Sequence, residues 1–168
     1  MASRGCSRIG EYMNIHDVPA NALITETAKE LKKQNLVKPP VWAFYVKTGA
    51  HKMRPPVDND WWFQRSAAIL RTIANRGPVG VAKLRTKYGG RKNRGHKPNR
   101  FRKGSGNVIR KVLQQLEKSQ LVKQIDIKGK KGRIITSRGQ SLLDKTAIGI
   151  RKTGRPAGKS APPVASTV

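Results

Sequence analysis

The stretch from Asp60 to Arg76 constrains the fold of this chain more than any other. Projected at about 100° per residue, Trp62, Phe63, Ala67, Ile69, Leu70, Ile73 and Ala74 fall on one arc of roughly 160°, interrupted only by the small Ser66. A helix with so wide an apolar face has to bury it, which places this segment at the centre of a core. The other arc carries Gln64, Arg65, Thr72, Asn75 and Arg76, with Arg71 at its edge. Asp58 or Asp60 is placed to cap the N-terminus. Gly77-Pro78 ends the helix, because glycine accepts a left-handed C-terminal conformation and proline cannot continue the ladder. One helix is thus expected to hold a hydrophobic centre and to show guanidinium groups to a partner.

Charge says what kind of partner. The 168 residues carry 36 Lys and Arg against 9 Asp and Glu, a formal net charge of +27, and no carboxylate lies between Trp61 and Leu116. Most of these cations cannot find an internal counterion, so the isolated fold repels itself and a polyanion would relieve it. Nucleic acid fits, because neutralising closely spaced phosphates releases condensed counterions. A membrane partner is not expected: the basic residues are spread along the chain, and no apolar run approaches the roughly 20 residues that span a bilayer. The chain reads as soluble. Cys6 is the only cysteine, so no internal disulfide can form, and His16, His51 and His96 do not show metal-ligand spacing. No cofactor, metal or small-molecule substrate is expected, and the length suits one domain with tails.

In order, residues 1–15 read as a flexible arm rather than a transit peptide, since Glu11 interrupts them and no amphipathic arginine face develops. Asp17 to Asn35 predicts a helix with Pro19 in its first turn, an apolar stripe of Leu23, Ile24, Thr27, Ala28 and Leu31, and Lys32 and Lys33 at its C-terminal end. Pro39-Pro40 stop it. Val41 to Lys47 is too short for its period to separate helix from strand; a short helix with a buried Trp42 indole is preferred. After a loop and the central helix, Val79 to Lys87 predicts a short helix with Val81, Leu84 and Tyr88 inward and Lys83, Arg85 and Lys87 outward.

The next run intersperses Arg91, Lys92, Arg94, Lys97, Arg100, Arg102 and Lys103 with glycine, asparagine and Phe101, and cannot bury a core. It reads as a basic loop suited to RNA, because glycine lets backbone approach a phosphate and arginine offers a planar two-donor fork. Gly104-Ser105 opens a further helix to about Ser119. Val108, Ile109, Val112, Leu113 and Leu116 form its apolar face, and Arg110 and Lys111 lie with Asn107, Gln114 and Lys118 on the other. Leu121–Ile127 and Arg133–Thr136 predict a hairpin whose tip bears Lys130 and Lys131, and Thr136-Ser137 a cap for a last helix carrying Leu142, Leu143 and Ala147. Helix, turn, helix, hairpin, helix is the order of a winged-helix module. The fold class is therefore mainly α: a helical domain over residues 16–148 around a central amphipathic helix, winged-helix-like with a small β-hairpin, followed by a disordered tail over 149–168.

Several stretches resemble one family. They are DVPANALITETAKELKK from Asp17, the Trp42 to Thr48 run, DNDWWFQRSAAILR from Asp58, KYGGRKNRGHKP from Lys87, GSGNVIRKVLQQLE from Gly104, and the T-x-x-G-x-x-L-L-D ending from Thr136 to Asp144. The family is the nineteenth-numbered small-subunit ribosomal protein of eukaryotes and archaea, unrelated to the bacterial protein of the same number. The resemblance implies a seat in the head of the small ribosomal subunit, contact with small-subunit rRNA and its precursor and with neighbouring head proteins, and a role in rRNA maturation and subunit assembly. It also implies a cytoplasmic ribosomal location, with a nucleolar assembly phase in a eukaryote. It singles out Arg65, Arg71 and Arg110, with Lys111 beside the last. Where the family has acidic residues around its tryptophan, this chain has Val41 and Phe44, which makes that surface more apolar.

Two other classes fit less well. A DNA-reading winged helix would concentrate its contacts on one helix and a wing, whereas here cations also occupy the central helix, the helix after it and a long loop. An RNA-processing enzyme needs an acid, a base, a nucleophile or a metal cluster, and no such set converges, so the chain is not expected to be an enzyme.

Overall fold

The computed structural model describes residues 15–127 and 130–152. Its elements are α1 (Ala20–Lys33), a single 3-10 turn (Val41–Phe44), α2 (Trp61–Arg76), α3 (Val81–Lys87), β1 (Gly90–Arg94), β2 (Lys97–Arg102), α4 (Gly106–Lys118), β3 (Val122–Ile127), β4 (Lys130–Ile135) and α5 (Ser137–Lys152). The strands form two separate antiparallel hairpins, β1–β2 and β3–β4. The architecture is mainly α and winged-helix-like. Helices α2, α3 and α4 precede the β3–β4 wing, and the β1–β2 hairpin is inserted between α3 and α4.

Helix α2 is central, packed against α1, α4, α5 and the wing strand β4. Its apolar arc meets the stripe of α1 (Leu23, Ala28, Leu31), that of α4 (Val108, Ile109, Val112, Leu113, Leu116), and Leu143 and Ala147 of α5 in one core. Trp62 is fully buried there. Its indole Nε1 donates to Gln115 Oε1 of α4 at 3.0 Å, and Gln115 Nε2 donates to the Lys38 carbonyl at 2.6 Å. The one polar atom of the largest core side chain is thus paired, as a buried donor has to be, and the same pair ties α2, α4 and the loop after α1 together. Trp42 and Trp61 stand edge-on to Trp62, with ring centroids 5.6 and 5.3 Å away.

Local expectations are met at most ends and corrected at others. Ser105 caps α4, its hydroxyl accepting from Val108 N, and Thr136 Oγ1 accepts from Gly139 N at the start of α5. Neither Asp58 nor Asp60 caps α2 by a side-chain bond: Asp60 holds the N-cap position, but both its carboxylate oxygens accept from Lys32 Nζ at 2.9 Å, which ties α2 to α1 instead. Ile15, expected in the arm, is buried in the core. Residues 149–152, expected in the tail, continue α5, with Ile150 buried. The rest of the arm and tail, and Lys128 and Gly129 of the wing tip, lie outside the described residues.

The basic run expected as a loop is instead the β1–β2 ribbon, turned at Gly95 with φ +69° and bulged between Lys92 and Arg94. The wing differs too. Lys131 and Gly132 belong to β4, opposite Asp126 and Ile125, and Gly132 lies against Pro78, where an added Cβ would come to 3.3 Å. Val79 and Arg133 exchange two backbone hydrogen bonds at 3.1 Å, so the wing is fastened to the link between α2 and α3.

Candidate nucleic-acid interface

The expected binding residues fall into four sets, and the fold treats them differently. The first lies where the C-terminal half of α2 faces α3. Gly77, at φ +68°, turns the chain out of α2 so that α3 folds back along it. Between them is a cleft of about 350 Å³ lined by Thr72, Arg76, Pro78, Val79, Lys83, Leu84 and Lys87. Thr72, Val79 and Leu84 are buried and make its floor, while Arg76, Lys83 and Lys87 are exposed. Lys87 Nζ donates to Thr72 Oγ1 at 2.6 Å, and the Thr72 hydroxyl donates to the Ala68 carbonyl at 2.7 Å. Burial lowers the Lys87 ammonium below its ordinary pKa, and the like charges of Arg76 and Arg71 lower it further.

The second set is absorbed by packing. Arg65, expected to face a partner, is half-buried with its guanidinium carbon 4.3 Å above the centre of the Tyr88 ring. Burial pushes its pKa down, while the Tyr88 phenol acts the other way. Tyr88 is itself pushed up by burial, with the Thr72 hydroxyl and Arg65 pulling it back. Arg71 is also half-buried, and its Nε is enclosed without an acceptor among the described residues. Thr72, expected on the open arc, is buried. For Arg65 and Thr72 the cause is the end of α3, where the Tyr88 ring lies under the Arg65 guanidinium and Lys87 bonds the Thr72 hydroxyl. Arg85, although exposed, lays its guanidinium along the start of α4, with Nε donating to the Gly104 carbonyl at 3.3 Å and the chain beside Gly106.

The β1–β2 ribbon carries the third set. Apart from Gly90, both its strands are exposed throughout. Lys92 lies opposite Arg100 and Arg94 opposite Lys97, so cations face cations across the ladder, an arrangement that destabilises a hairpin in isolation. The ribbon is held at its root. Gly104 leaves room for the Tyr88 carbonyl, which a Cβ would approach to 2.7 Å; Gly89 leaves room for Phe101 and the Arg102 carbonyl; His51 closes over Gly90. Arg91, Lys92, Arg94, Lys97, Arg100, Arg102 and Lys103 are all exposed.

The fourth set is on α4 and the wing. Arg110 and Lys111 are exposed as expected, on the face opposite Val108, Val112 and Leu116. Lys131 is exposed on β4; Lys130 has its backbone in β4, and its side chain lies outside the described part of the chain. Arg133 is structural, since it pairs with Glu117 of α4 at 3.3 Å. Ion pairs elsewhere include Lys29–Glu26, Lys32–Asp60 and Lys33–Glu30, and none of the described cations expected to bind has a described carboxylate within 4.0 Å. Among the described residues there is also no cluster of three metal-ligating side chains, and no helix is long and apolar enough to cross a membrane.

Sequence reasoning missed Tyr88 as the organiser of the cleft's flank, having assigned it only an inward direction. A projection of either helix could not have found it, because the Tyr88 contact with Arg65 joins two elements distant in sequence.

Residues 14–153 match the family described as Ribosomal protein S19e. The chain is 51% identical over 137 residues to the small ribosomal subunit protein eS19 of Aeropyrum pernix, covering 80% of this chain and 88% of that one. It is 43% identical over 138 residues to eS19A of Schizosaccharomyces pombe, 82% of this chain and 94% of that one, and 40% identical over 142 residues to eS19G of Ascaris suum, 84% and 95% respectively. With a family match spanning the whole described fold, the chain belongs to the ribosomal protein S19e family.

Proposed function

We propose that this protein is a structural constituent of the small ribosomal subunit, seated in its head, and that it holds small-subunit rRNA chiefly by phosphate contacts rather than by reading bases. Its relatives carry the name small ribosomal subunit protein. The observation that carries the mode of binding is the β1–β2 ribbon, an exposed two-stranded element with cations opposed across its ladder and no carboxylate on either strand. Such a ribbon buries too little to be stable for its own sake, and two strands without a packed face are marginal in water. Phosphates laid along it would turn cross-strand repulsion into bridging attraction and release counterions. Arg110 and Lys111 on α4, with Lys131 on the wing, would extend the contact as a winged helix does.

By the same reading the chain takes part in maturing the rRNA precursor as an assembly component and not as a catalyst, touches neighbouring head proteins, and works in the cytoplasm after a nucleolar phase if its source is eukaryotic. The test is incorporation. Tagged full-length chain should cosediment with small subunits, and replacing Lys92, Arg94, Lys97 and Arg100 by glutamine should release it from them without lowering its thermal stability, since the exchange removes two opposed cation pairs from the ladder. Affinity for the cognate rRNA should fall with salt at a log-log slope of magnitude at least about 5. Unchanged cosedimentation of the ribbon variant, or affinity indifferent to salt, would count against the reading.

A further inference from the structure

We propose that the cleft between the C-terminal half of α2 and α3 is a dedicated seat for a single backbone phosphate of bound RNA, held by Arg76, Lys83 and Lys87. This rests on the RNA-binding reading above and narrows it to one place.

The cleft is open to solvent on one side and floored by buried side chains. The volume of about 350 Å³ is at the small end of the ~300–1,000 Å³ range of ligand clefts. A buried floor of Thr72, Val79 and Leu84 excludes water from below, while the three cations stand at its edge. The walls are fixed in advance: Val79 is tied to Arg133 of the wing by two backbone hydrogen bonds, and Lys87 to Thr72 by one from its ammonium. Preorganisation of this kind lowers the ordering cost that a ligand would otherwise meet on binding.

The donor inventory says what the ligand is. Lys87 has three N–H donors and commits one to Thr72, leaving two; Arg76 and Lys83 add a planar fork and another ammonium. The cleft's polar side chains offer almost nothing in return. Thr72 supplies the one side-chain acceptor in the lining, and it already receives the Lys87 proton and gives its own to the Ala68 carbonyl. A nucleobase edge presents donors as well as acceptors and would leave donors unpaired here. A phosphate presents acceptors only and carries the charge that the site lacks. The field points the same way, since Arg71 and Arg76 both act on Lys87 and no carboxylate is paired with any of the four. Arg71 contributes background charge, its Nε being enclosed.

The experiment uses the full chain with Arg76→Gln and Lys83→Gln combined, sparing Lys87 because its bond to Thr72 is part of the packing. Affinity for a small-subunit rRNA fragment is measured against salt, and the free wild-type protein is titrated with pyrophosphate while backbone amide resonances are followed. The expected results are a roughly tenfold weaker affinity, a salt slope shallower by about 1, and pyrophosphate-induced shifts at Thr72, Val79 and Lys87 that the double variant loses. The charge-preserving pair Arg76→Lys and Lys83→Arg should keep the slope. If the double variant binds RNA with wild-type affinity and slope, or if pyrophosphate moves only ribbon and α4 resonances, the cleft is not a phosphate seat, while the general RNA-binding reading stands. If pyrophosphate enters the cleft but the wild type does not bind the rRNA fragment, the broader reading fails and takes the RNA assignment with it. Should the double variant unfold, the wild-type titration decides alone by the same resonances.

Discussion

Helices α2 and α4 each set an apolar stripe against a row of cations, and the fold uses the two rows in opposite ways. On α4 the row stays open: Asn107, Arg110, Lys111, Gln114 and Lys118 flank no later element that covers them, and Arg110 and Lys111 are exposed. On α2 most of the row is covered. At about 100° per residue Trp61, Arg65, Ala68 and Thr72 form a second strip opposite the apolar arc, and of these Trp61 and Thr72 are buried and Arg65 lies on Tyr88. Only Gln64, Asn75 and Arg76 come out to solvent along that side. The same amphipathic pattern therefore yields a presenting surface in one helix and a second packing surface in the other. The next elements of the chain make the difference, because after Gly77 the end of α3 brings Lys87 to Thr72 and Tyr88 to Arg65 of α2, whereas α4 leads into a wing strand that packs beside it.

The comparison breaks most severely at the buried arc of α2. Ala67 is fully enclosed, so Ala67→Asp forces a carboxylate into the core without a partner, at a cost of several kcal/mol against the roughly 5–15 that hold an ordinary domain together. Loss of a cooperative thermal transition is the expected result, and a variant that melts normally would remove α2 from the centre of the fold. Gly104→Ala should be next in size. The added Cβ would come to 2.7 Å from the Tyr88 carbonyl oxygen, and crowding of this kind costs about 1–3 kcal/mol. Because Tyr88 covers Arg65, the same substitution should raise hydrogen exchange along α3, which native-state exchange can track. Exchange confined to the ribbon would show that the cover is held by other contacts.

Legibility in the sequence obeys the same division. The stripes of α1, α2 and α4 were legible because each helix buries one face, and a one-sided burden leaves a period of 3.6 in the residue types. The ribbon was not. With β1 and β2 exposed on both faces, nothing alternates, and the element is specified by contacts distant in sequence: the close approach of Gly104 to Tyr88 and of Phe101 to Gly89. The exposure of Arg110, Lys111 and the ribbon cations could be read from residue type, since charge with no neighbour to satisfy it stays on the surface. The half-burial of Arg65 was not legible, because a projection of one helix holds no information on the Tyr88 ring that meets it from the next. Asp60 shows the same limit, its carboxylate being taken by Lys32 of a different helix.

Arg65 and Arg110 sharpen the contrast at a smaller scale. Arg65→Ala removes a guanidinium stacked on Tyr88 and the packing of its stem, so a loss of about 1–2 kcal/mol is expected. Arg110→Ala should change stability by no more than about 0.5 kcal/mol, as exposed substitutions do, while weakening rRNA binding and incorporation into small-subunit precursors. Denaturant unfolding of each purified variant beside its incorporation separates the two. Equal destabilisation of both would mean that α4 is covered like α2, and normal incorporation of the folded Arg110→Ala chain would mean that its charge is only solvated.

The finest test uses the proton on Tyr88. Burial raises its phenol above the ordinary value of 10.0, more than the Thr72 hydroxyl and Arg65 lower it. A raised acid means that the folded state keeps its proton after the unfolded chain has released it. The contribution to stability is then fully present below about pH 10 and is lost as pH rises from there through the folded value. Lys87 works in the opposite sense over neighbouring pH, because its lowered pKa makes the folded state give up a proton first, and stability rises between its folded value and the ordinary 10.5. A single melting curve mixes the two, but the difference between wild type and Tyr88→Phe isolates the phenol. That difference, measured as melting temperature against pH, should favour wild type most near neutrality and shrink above about pH 10. A constant difference would place the Tyr88 hydroxyl in water, and Tyr88 would then not cover Arg65 and Thr72 on this side of α2 in contrast to the open row of α4.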